Sequence, residues 1–258
     1  MRADLYLFSN GFAKSRSYAK TLIESGFVKI DGKTVDKPSL EIDGGEHSVE
    51  ITSDEKFVSR GGLKLEAALD AFGISVNGCD AIDVGASTGG FTDCLLKRGA
   101  KSVVCVDSGI GQLDPRIASD PRVTNIEKYN ARELDPCIVP NGVDIVVMDV
   151  SFISQTIILP RIKSVLREGG ILVSLIKPQF EAGRAAVGKG GIVKDPKDRL
   201  AAVIRVKDCA KAVGLIMTDI IISPITGGDG NIEYLAKFTL TGEALTDIKI
   251  KNIISLRK

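Results

Sequence analysis

The chain has 258 residues, of which 44% are hydrophobic and 26% are charged, and this composition excludes a largely disordered protein. The length suits one medium domain and one small domain, and the formal net charge of +1 does not by itself indicate a nucleic-acid-binding protein. No apolar run approaches the roughly 20 residues that a membrane span needs, and no apolar signal core follows the N-terminus. We therefore expect a cytoplasmic protein that does not bind membranes.

Cysteine and histidine usage predicts that no metal is bound. The five cysteines are scattered without a CxxC pair, and His47 is the single histidine. Structural and catalytic zinc sites draw most of their ligands from these two residue types at short spacing. The cysteines are interpreted as small core residues in a reducing compartment.

Residues 1–54 are predicted to form a small domain of mixed α and β structure. Ser15 is placed to cap a helix that Gly26 ends. The apolar face of this helix, at helical spacing, consists of Tyr18, Ala19, Leu22 and Ile23. Asp31-Gly32 is a two-residue hairpin signal, and a second turn at 43–45 leads into another strand.

Residues 55–59 are predicted to form a linker, and residues 60–258 a larger α/β domain. An amphipathic helix that Gly73 closes is indicated by Leu63, Leu65, Ala68, Leu69 and Phe72. After it, strands and helices alternate, which predicts a mostly parallel sheet covered on both faces. The strands are expected at 81–84, 103–106, 123–126, 145–149, 171–176, 216–222 and about 233–240.

A glycine-rich loop from Asp83 to Gly90 lies where the first of these strands ends and a helix begins. Glycines allow a tight turn and a close approach of the backbone to a ligand. Ser87 breaks the dinucleotide fingerprint GxGxxG at its second glycine. Residues 85–89 fit the GxSxG pattern of serine hydrolases, but the histidine that such a triad needs is missing, since His47 lies in the other domain.

The ligand that this loop favours is S-adenosylmethionine. This molecule has an amino group, a sulfonium and two ribose hydroxyls but no phosphate, so it calls for carboxylates at strand ends. Asp83 can face its amino acid end, and Asp107, at the end of the next strand, can accept hydrogen bonds from the ribose hydroxyls. Glu127 and Asn130 either border the adenine or are polar residues of a surface loop. The other predicted cofactor contacts are Gly85, Ala86, Ser87, Gly89 and Gly90.

Three charged residues at the ends of predicted strands supply candidate chemistry. Asp149 closes the fourth strand, Lys177 closes the fifth, and Glu233 opens the last. Ligands bind at the carboxyl edge of an open α/β sheet, and a charge that ends an apolar strand is either solvated or functional. With no histidine nearby, lysine is the available base for a hydroxyl substrate.

The first 45 residues resemble the S4 RNA-binding domain. The resemblance rests on Asp4-Leu5 and on segments 13–17, 23–26, 28–33 and 37–39. It implies that basic side chains contact the phosphates of structured RNA. The residues that this resemblance makes candidate phosphate contacts are Lys14, Arg16, Lys20, Lys29 and Lys33. Judged by their charge alone, they would be interpreted as solvated surface residues.

Nearly the full length resembles the TlyA family, in which an S4 domain precedes an FtsJ-like methyltransferase domain. The matching stretches are 58–65, 83–92, 107–113, 149–154, 177–181 and 230–234. The resemblance implies a Rossmann-like sheet of seven strands, the last antiparallel. It also implies that S-adenosylmethionine methylates a ribose 2′-hydroxyl of cytidine in ribosomal RNA or ribosomal subunits, with 23S as first candidate and 16S as second. The short ends of the chain disfavour modification of both RNAs.

The catalytic set that this resemblance implies is Lys64, Asp149, Lys177 and Glu233. Lys177 would receive or orient the proton of the 2′-hydroxyl, Asp149 and Glu233 would hold Lys177, and Lys64 would complete the pocket. Without this family resemblance, Lys64 would be interpreted as a solvated lysine next to the apolar face of a helix. Two alternative functions are a pore-forming haemolysin, after the family's older name, and an S4-type RNA-binding protein without activity.

Overall fold

The computed structural model describes residues 1–13, 15–24, 26–51, 56–227 and 230–256, and within these it contains two β-sheets. The smaller sheet has three strands and the larger has seven. A small unit of mixed α and β structure therefore precedes a larger α/β unit, which confirms the predicted fold class.

The small unit packs two helices against a three-stranded antiparallel sheet. Its elements are α1 (Ala3–Ser9), α2 (Arg16–Glu24), β1 (Val28–Ile30), β2 (Lys33–Thr34) and β3 (Val49–Ile51), with strand order β2-β1-β3. The predicted helix cap is confirmed, since the Tyr18 amide donates to Ser15 Oγ over 3.1 Å. The predicted hairpin is confirmed too: Asp31 and Gly32 have φ values of 51° and 72°, as a type I′ turn requires.

The seven predicted strands of the large sheet are all present. They are β4 (Asp80–Val84), β5 (Ser102–Val106), β6 (Val123–Ile126), β7 (Val143–Met148), β8 (Leu166–Ile176), β9 (Ile216–Ile222) and β10 (Tyr234–Thr239). Their order is β6-β5-β4-β7-β8-β10-β9, and β10 alone runs antiparallel to its neighbours among these described strands. The strand order reverses at β4, so the loops after β4 and β7 flank a crevice of the kind that binds ligands in such sheets.

Helices cover both faces of this sheet. They are α3 (Gly61–Ala71), α4 (Gly90–Lys97), α5 (Pro115–Ala118), α6 (Leu159–Val165), α7 (Pro178–Glu181), α8 (Pro196–Ala212) and α9 (Asp247–Ser255). On one face, α3, α4 and α5 bury Leu65, Leu95 and Ile117. On the other, α6, α8 and α9 bury Ile162, Val206 and Ile254. The sheet is thus enclosed, and the loops at its carboxyl edge are held on a rigid base.

Two details of the sequence prediction are wrong. Strand β8 begins at Leu166 and not at Ile171, because Leu166 already pairs with Val143 of β7. The register then shifts between Val143 and Ile145, and Gly169, with a φ of 76°, lies in the part of β8 opposite this shift. Leu63 is 36% exposed, whereas Lys64 takes a buried position at 9%. Leu63 lies two residues before Leu65, roughly 200° around the helix, so it points away from the core.

Residues 57–59, predicted as part of the linker, are buried against the large unit. Phe57 and Val58 join the cluster around α3 and α4, and the Val58 amide donates to Asp93 Oδ2 over 2.8 Å. A Cβ at Gly62 would lie 2.3 Å from the Phe57 side chain, so this approach requires glycine. Residues 52–55, which include the predicted boundary, lie outside the described residues, and the domain limits stay predictions.

Candidate active site and cofactor cavity

The candidate catalytic residues meet at one edge of the large sheet. Asp149 follows β7 and Lys177 follows β8, at the carboxyl ends of these parallel strands. Because β10 runs the opposite way, Glu233, just before its first residue, reaches the same edge. Lys64 comes from α3, which packs beside β10.

Two ion pairs bring these four residues into one cleft of about 220 Å³. Lys64 Nζ donates to Glu233 Oε2 over 2.6 Å, and the two residues are only 9% and 2% exposed. Lys177 Nζ lies 2.5 Å from Asp149 Oδ1. Lys177 also donates to Ser151 Oγ over 2.8 Å, a contact that sequence reasoning missed.

The charge state of Lys177 follows from its neighbours. Burial lowers the pKa of its ammonium, but Asp149 and Glu233 together outweigh burial and raise this pKa above its usual value. Burial raises the pKa of Asp149, and Lys177 with Lys64 more than reverses this, so the pKa is lowered. At neutral pH the pair is therefore an ammonium and a carboxylate.

A larger cavity of about 680 Å³ adjoins this cleft. Its volume lies within the range of about 300–1,000 Å³ that is usual for small-molecule sites. The loops after β4, β5, β6 and β7 form its wall. Gly85, Ser87, Asp149 and Ser151 line both spaces, so a molecule in the cavity can reach the lysine cleft at these residues.

The glycine loop comes very close to its neighbours. A Cβ at Gly85, where φ is 85°, would lie 2.5 Å from the carbonyl oxygen of Asp149. A Cβ at Gly89, where φ is 90°, would lie 2.7 Å from the Leu113 side chain. Ser87 also has a positive φ, of 50°. Glycine at position 85 lets the backbone line the cavity directly. Gly89 is not among the described lining residues, and its contact with a cofactor stays a prediction. Ala86 and Gly90 line the adjoining cleft.

Asp107 lies in the cavity wall with both carboxylate oxygens engaged. They accept the amides of Ser87 over 2.8 Å and Gly109 over 2.7 Å. Each oxygen keeps a second lone pair, which is free for a hydroxyl donor. Asn130 lines the same cavity. Glu127 is not among the described lining residues and instead accepts an amide of the loop after β5 over 2.8 Å.

Asp83 lies beneath the glycine loop and does not line either space. Its carboxylate is fully buried, and Oδ2 accepts the amide of Thr92 over 3.0 Å and its hydroxyl over 2.7 Å. Within the described chain, Oδ1 has no hydrogen-bond partner. Asp83 therefore joins the end of β4 to α4, and its direct contact with a cofactor stays a prediction.

Burial raises the pKa of the Asp83 carboxyl to about 7, although Thr92 acts in the opposite direction. The folded state thus holds this proton more tightly than the unfolded state does. Protonated Asp83 therefore adds to the free energy of unfolding below pH 4, and this contribution is lost as the pH rises to about 7. A rise from the usual 3.8 corresponds to about 4 kcal/mol.

The substitution Asp83→Asn removes this titration. In urea unfolding between pH 4 and pH 8, we expect the free energy of unfolding of the wild type to fall relative to that of the variant, by up to about 4 kcal/mol. The Asp195→Asn variant, which changes an exposed helix-capping carboxylate, is the matched control. If the free energies of unfolding of wild type and Asp83→Asn differed by a constant amount from pH 4 to pH 8, Asp83 would stay ionised throughout this range.

Residues 57–239 match the FtsJ-like methyltransferase family, and residues 1–48 match the S4 domain. The 16S/23S rRNA (cytidine-2′-O)-methyltransferase TlyA of Mycobacterium tuberculosis (strain CDC 1551 / Oshkosh) is 43% identical over 234 residues, which are 90% of this chain and 87% of that protein. The chain belongs to the TlyA family of FtsJ-like methyltransferases.

Other members of the TlyA family carry haemolysin names. Hemolysin A of Brachyspira hyodysenteriae is 43% identical over 245 residues, 93% of this chain and 100% of that protein. A solved structure from Streptococcus thermophilus under a hemolysin name has a TM-score of 0.78 and 39% identity, and the match covers 99% of this chain and 94% of that chain. Among the described residues here, no helix is long and apolar enough to cross a membrane.

Carboxylates accompany most of the predicted RNA contacts in the S4 domain of this TlyA-family chain. The ion pairs are Arg16–Asp4 at 3.0 Å, Lys20–Glu24 at 3.6 Å and Lys29–Glu50 at 3.9 Å. Lys33 is exposed beside the hairpin turn, and Lys14 lies outside the described residues. The two lysine pairs are exposed and contribute little free energy, so they exchange readily for phosphate contacts. Asp4 is only 3% exposed and also binds Arg2, so Arg16 is held more firmly. All of these RNA contacts stay predictions.

Helix α2 of the S4 domain forms part of the wall of both spaces. Thr21 and Glu24 line the catalytic cleft and the cofactor cavity, and Lys20 lines the cavity. Arg60, which precedes α3, donates from Nη2 to the Glu24 carbonyl over 2.5 Å. No local sequence pattern indicates this packing, because it joins distant parts of the chain.

An exposed aromatic side chain beside the cleft was also missed. Phe152 is 87% exposed at a φ of 63°, and its ring centroid lies 5.3 Å from that of Phe180. It directly follows Ser151, the partner of Lys177. The sequence feature that could have indicated Phe152 is its position three residues after Asp149, the aspartate at the end of a predicted strand.

Proposed function

We propose that this chain transfers the methyl group of S-adenosylmethionine to the ribose 2′-hydroxyl of a cytidine in ribosomal RNA. The main support for this proposal is that the two spaces meet: a cavity lined by the carboxylate of Asp107 adjoins a cleft that contains two lysine–carboxylate pairs. Gly85, Ser87, Asp149 and Ser151 form this junction. A donor on one side and an acceptor hydroxyl on the other would meet there.

The residues of the cavity fit S-adenosylmethionine. Asp107 would accept hydrogen bonds from the ribose hydroxyls, and the backbone at Gly85 and Ser87 would pass close to the methionine part. When bound, the cofactor supplies an electrophilic methyl group on a cationic sulfonium. Asp149, at the junction, would place negative charge near that cation.

Lys177 would act on the 2′-hydroxyl. Methyl transfer would form the bond between the 2′-oxygen and the methyl carbon as the bond from that carbon to sulfur breaks with its electron pair left on sulfur. The hydroxyl proton would leave at the same time, and the amine of Lys177 would take it up. Since the protein holds Lys177 as an ammonium at neutral pH, only its small unprotonated fraction is competent. Asp149 and Ser151 would fix the position of its Nζ.

Ribosomal RNA is the substrate class that the family relationship supports. The Mycobacterium tuberculosis relative is named for cytidine methylation of 16S and 23S rRNA, and an S4 domain precedes the catalytic domain here as well. The exposed Phe152 ring beside the cleft suits stacking with an unpaired nucleobase. A ribosomal substrate also implies the cytoplasm.

The proposal is tested by supplying purified 30S subunits, 50S subunits and naked rRNA with S-adenosylmethionine labelled in the methyl group. We expect transfer to at least one of these RNAs. The Asp107→Ala variant should bind the cofactor roughly ten- to a hundredfold more weakly, because charge-assisted hydrogen bonds are lost. Lack of transfer to all three substrates by a protein that binds the cofactor would contradict the proposal.

A further inference from the structure

A segment of the methyltransferase domain carries more uncompensated positive charge than the S4 domain. Residues 183–197, called here the basic strap, contain four cationic side chains and one acidic one, Asp195. The cations are Arg184, Lys189, Lys194 and Lys197, all exposed. None of the four has an ion-pair partner in the described ranges. Residues 1–51, by contrast, contain seven cationic and eight acidic side chains.

The strap is anchored and does not depend on its own side chains for its shape. Asn231, 1% exposed, accepts the Val193 amide over 3.0 Å and donates to the Gly191 carbonyl over 2.9 Å. Arg199 donates to the Lys194 carbonyl over 2.6 Å. At Gly190, where φ is 82°, a Cβ would meet nothing within 4 Å, so the backbone there is open to a close approach.

The strap is connected to the catalytic cleft through its anchor, because the amide of Gly227, which lines the cleft, donates to the Asn231 carbonyl over 2.9 Å. Arg184 lines a cavity of about 490 Å³ together with Phe152 and Phe180. At the other end, the anchor Asn231 lies two residues before Glu233. In the sheet, β8 and β10 lie on the side of β7 opposite to β5 and β6. The S4 helix α2 lines both the cleft and the cofactor cavity, and the cavity of Arg184 borders the cofactor cavity at Phe152, which lines both.

We propose that the basic strap binds the phosphate backbone of the RNA strand that enters the catalytic cleft. Unpaired lysines on an anchored loop suit phosphate contacts, which set position and affinity without reading bases. The S4 domain would hold one part of the RNA, and the strap would hold the strand next to the reacting ribose. This inference rests on the proposed function, because it takes RNA as the substrate.

The test compares Lys189→Gln, and the triple variant Lys189→Gln, Lys194→Gln, Lys197→Gln, with wild type. Binding to naked rRNA and to subunits is measured across a salt series, alongside methylation kinetics. Each lost contact should weaken RNA binding about three- to fivefold and lower the slope of log K against log salt by about 0.7–0.9. The kcat at saturating RNA and the affinity for S-adenosylmethionine should stay at wild-type values. Lys189→Arg, which keeps the positive charge that Lys189→Gln removes, should bind RNA as wild type does.

The matched control is Lys211→Gln, an exposed lysine at the other end of α8. Its RNA affinity should equal that of wild type. Wild-type RNA affinity and salt slope in the triple variant would overturn the strap proposal while leaving the methyltransferase function intact. Normal binding to naked rRNA with weakened binding to subunits would also overturn it, since the strap would then contact a ribosomal protein. A wild-type protein that binds rRNA but methylates none would refute the proposed function alone.

Discussion

Replacing Lys177 with alanine should lower the rate of methyl transfer by about 10²–10⁴-fold, the usual contribution of a positioned acid–base group. Lys177 lines the catalytic cleft but is not among the described residues that line the cofactor cavity, so S-adenosylmethionine should still bind. Single-turnover transfer and cofactor binding by calorimetry measure the two effects separately. Lys211→Ala, on the exposed end of α8, is the control and should keep full activity.

The dependence of the methyl-transfer rate on pH distinguishes whether Lys177 takes up a proton or only orients the substrate. Because neighbouring carboxylates raise its pKa, the competent amine should increase about tenfold per pH unit, and the wild-type rate should follow this slope between pH 6 and pH 9. Lys177→Arg keeps the positive charge but cannot release its proton in this range, so it should be as inactive as Lys177→Ala. A flat profile together with an active Lys177→Arg variant would assign Lys177 an orienting role instead.

Breaking the Lys64–Glu233 pair should have the largest effect on stability. Glu233→Ala leaves the buried ammonium of Lys64 without its 2.6 Å partner, and removing one member of a buried pair costs about 3–5 kcal/mol. Urea unfolding of the variant should show a loss of this size. A loss below about 1 kcal/mol would mean that water reaches the pair freely.

A double variant separates stability from chemistry at this pair. Lys64→Met with Glu233→Leu replaces both charges by apolar groups, and such replacements of buried pairs are often neutral or stabilising. We expect the double variant to recover most of the stability that Glu233→Ala loses, while methyl transfer stays impaired. Recovery of transfer would show that neither charge contributes to catalysis.

Much of the fold could be predicted because its signals are local. The mainly apolar run of β9 predicted its bounds, and the Asp31-Gly32 turn predicted a hairpin. The glycine loop was also predictable, since the order of strand, glycines and helix is contained within a few residues. These patterns depend on backbone geometry and on the alternation of burial, which the sequence carries directly.

The site was less predictable where it depends on contacts between distant residues. Local spacing suggests that Lys64 is solvated, yet it is buried against Glu233, which lies 169 positions away in the chain. Asp83 is the penultimate residue of β4, close to the glycine loop, but its side chain is buried and binds Thr92. The ion pairs of Arg16 with Asp4 and of Lys29 with Glu50 were likewise hidden, because each partner lies on another element. The Lys20–Glu24 pair, by contrast, joins residues four positions apart on one helix and was accessible to local spacing.

The chemical position of the transferred methyl group tests the central claim most directly. Labelled rRNA from the transfer reaction is digested to nucleosides, which are separated beside 2′-O-methylated and base-methylated standards. We expect label in 2′-O-methylcytidine, and loss of this label with Lys177→Ala. Label in a base-methylated nucleoside would contradict the account, because the lysine–carboxylate cleft would then have no ribose hydroxyl to act on.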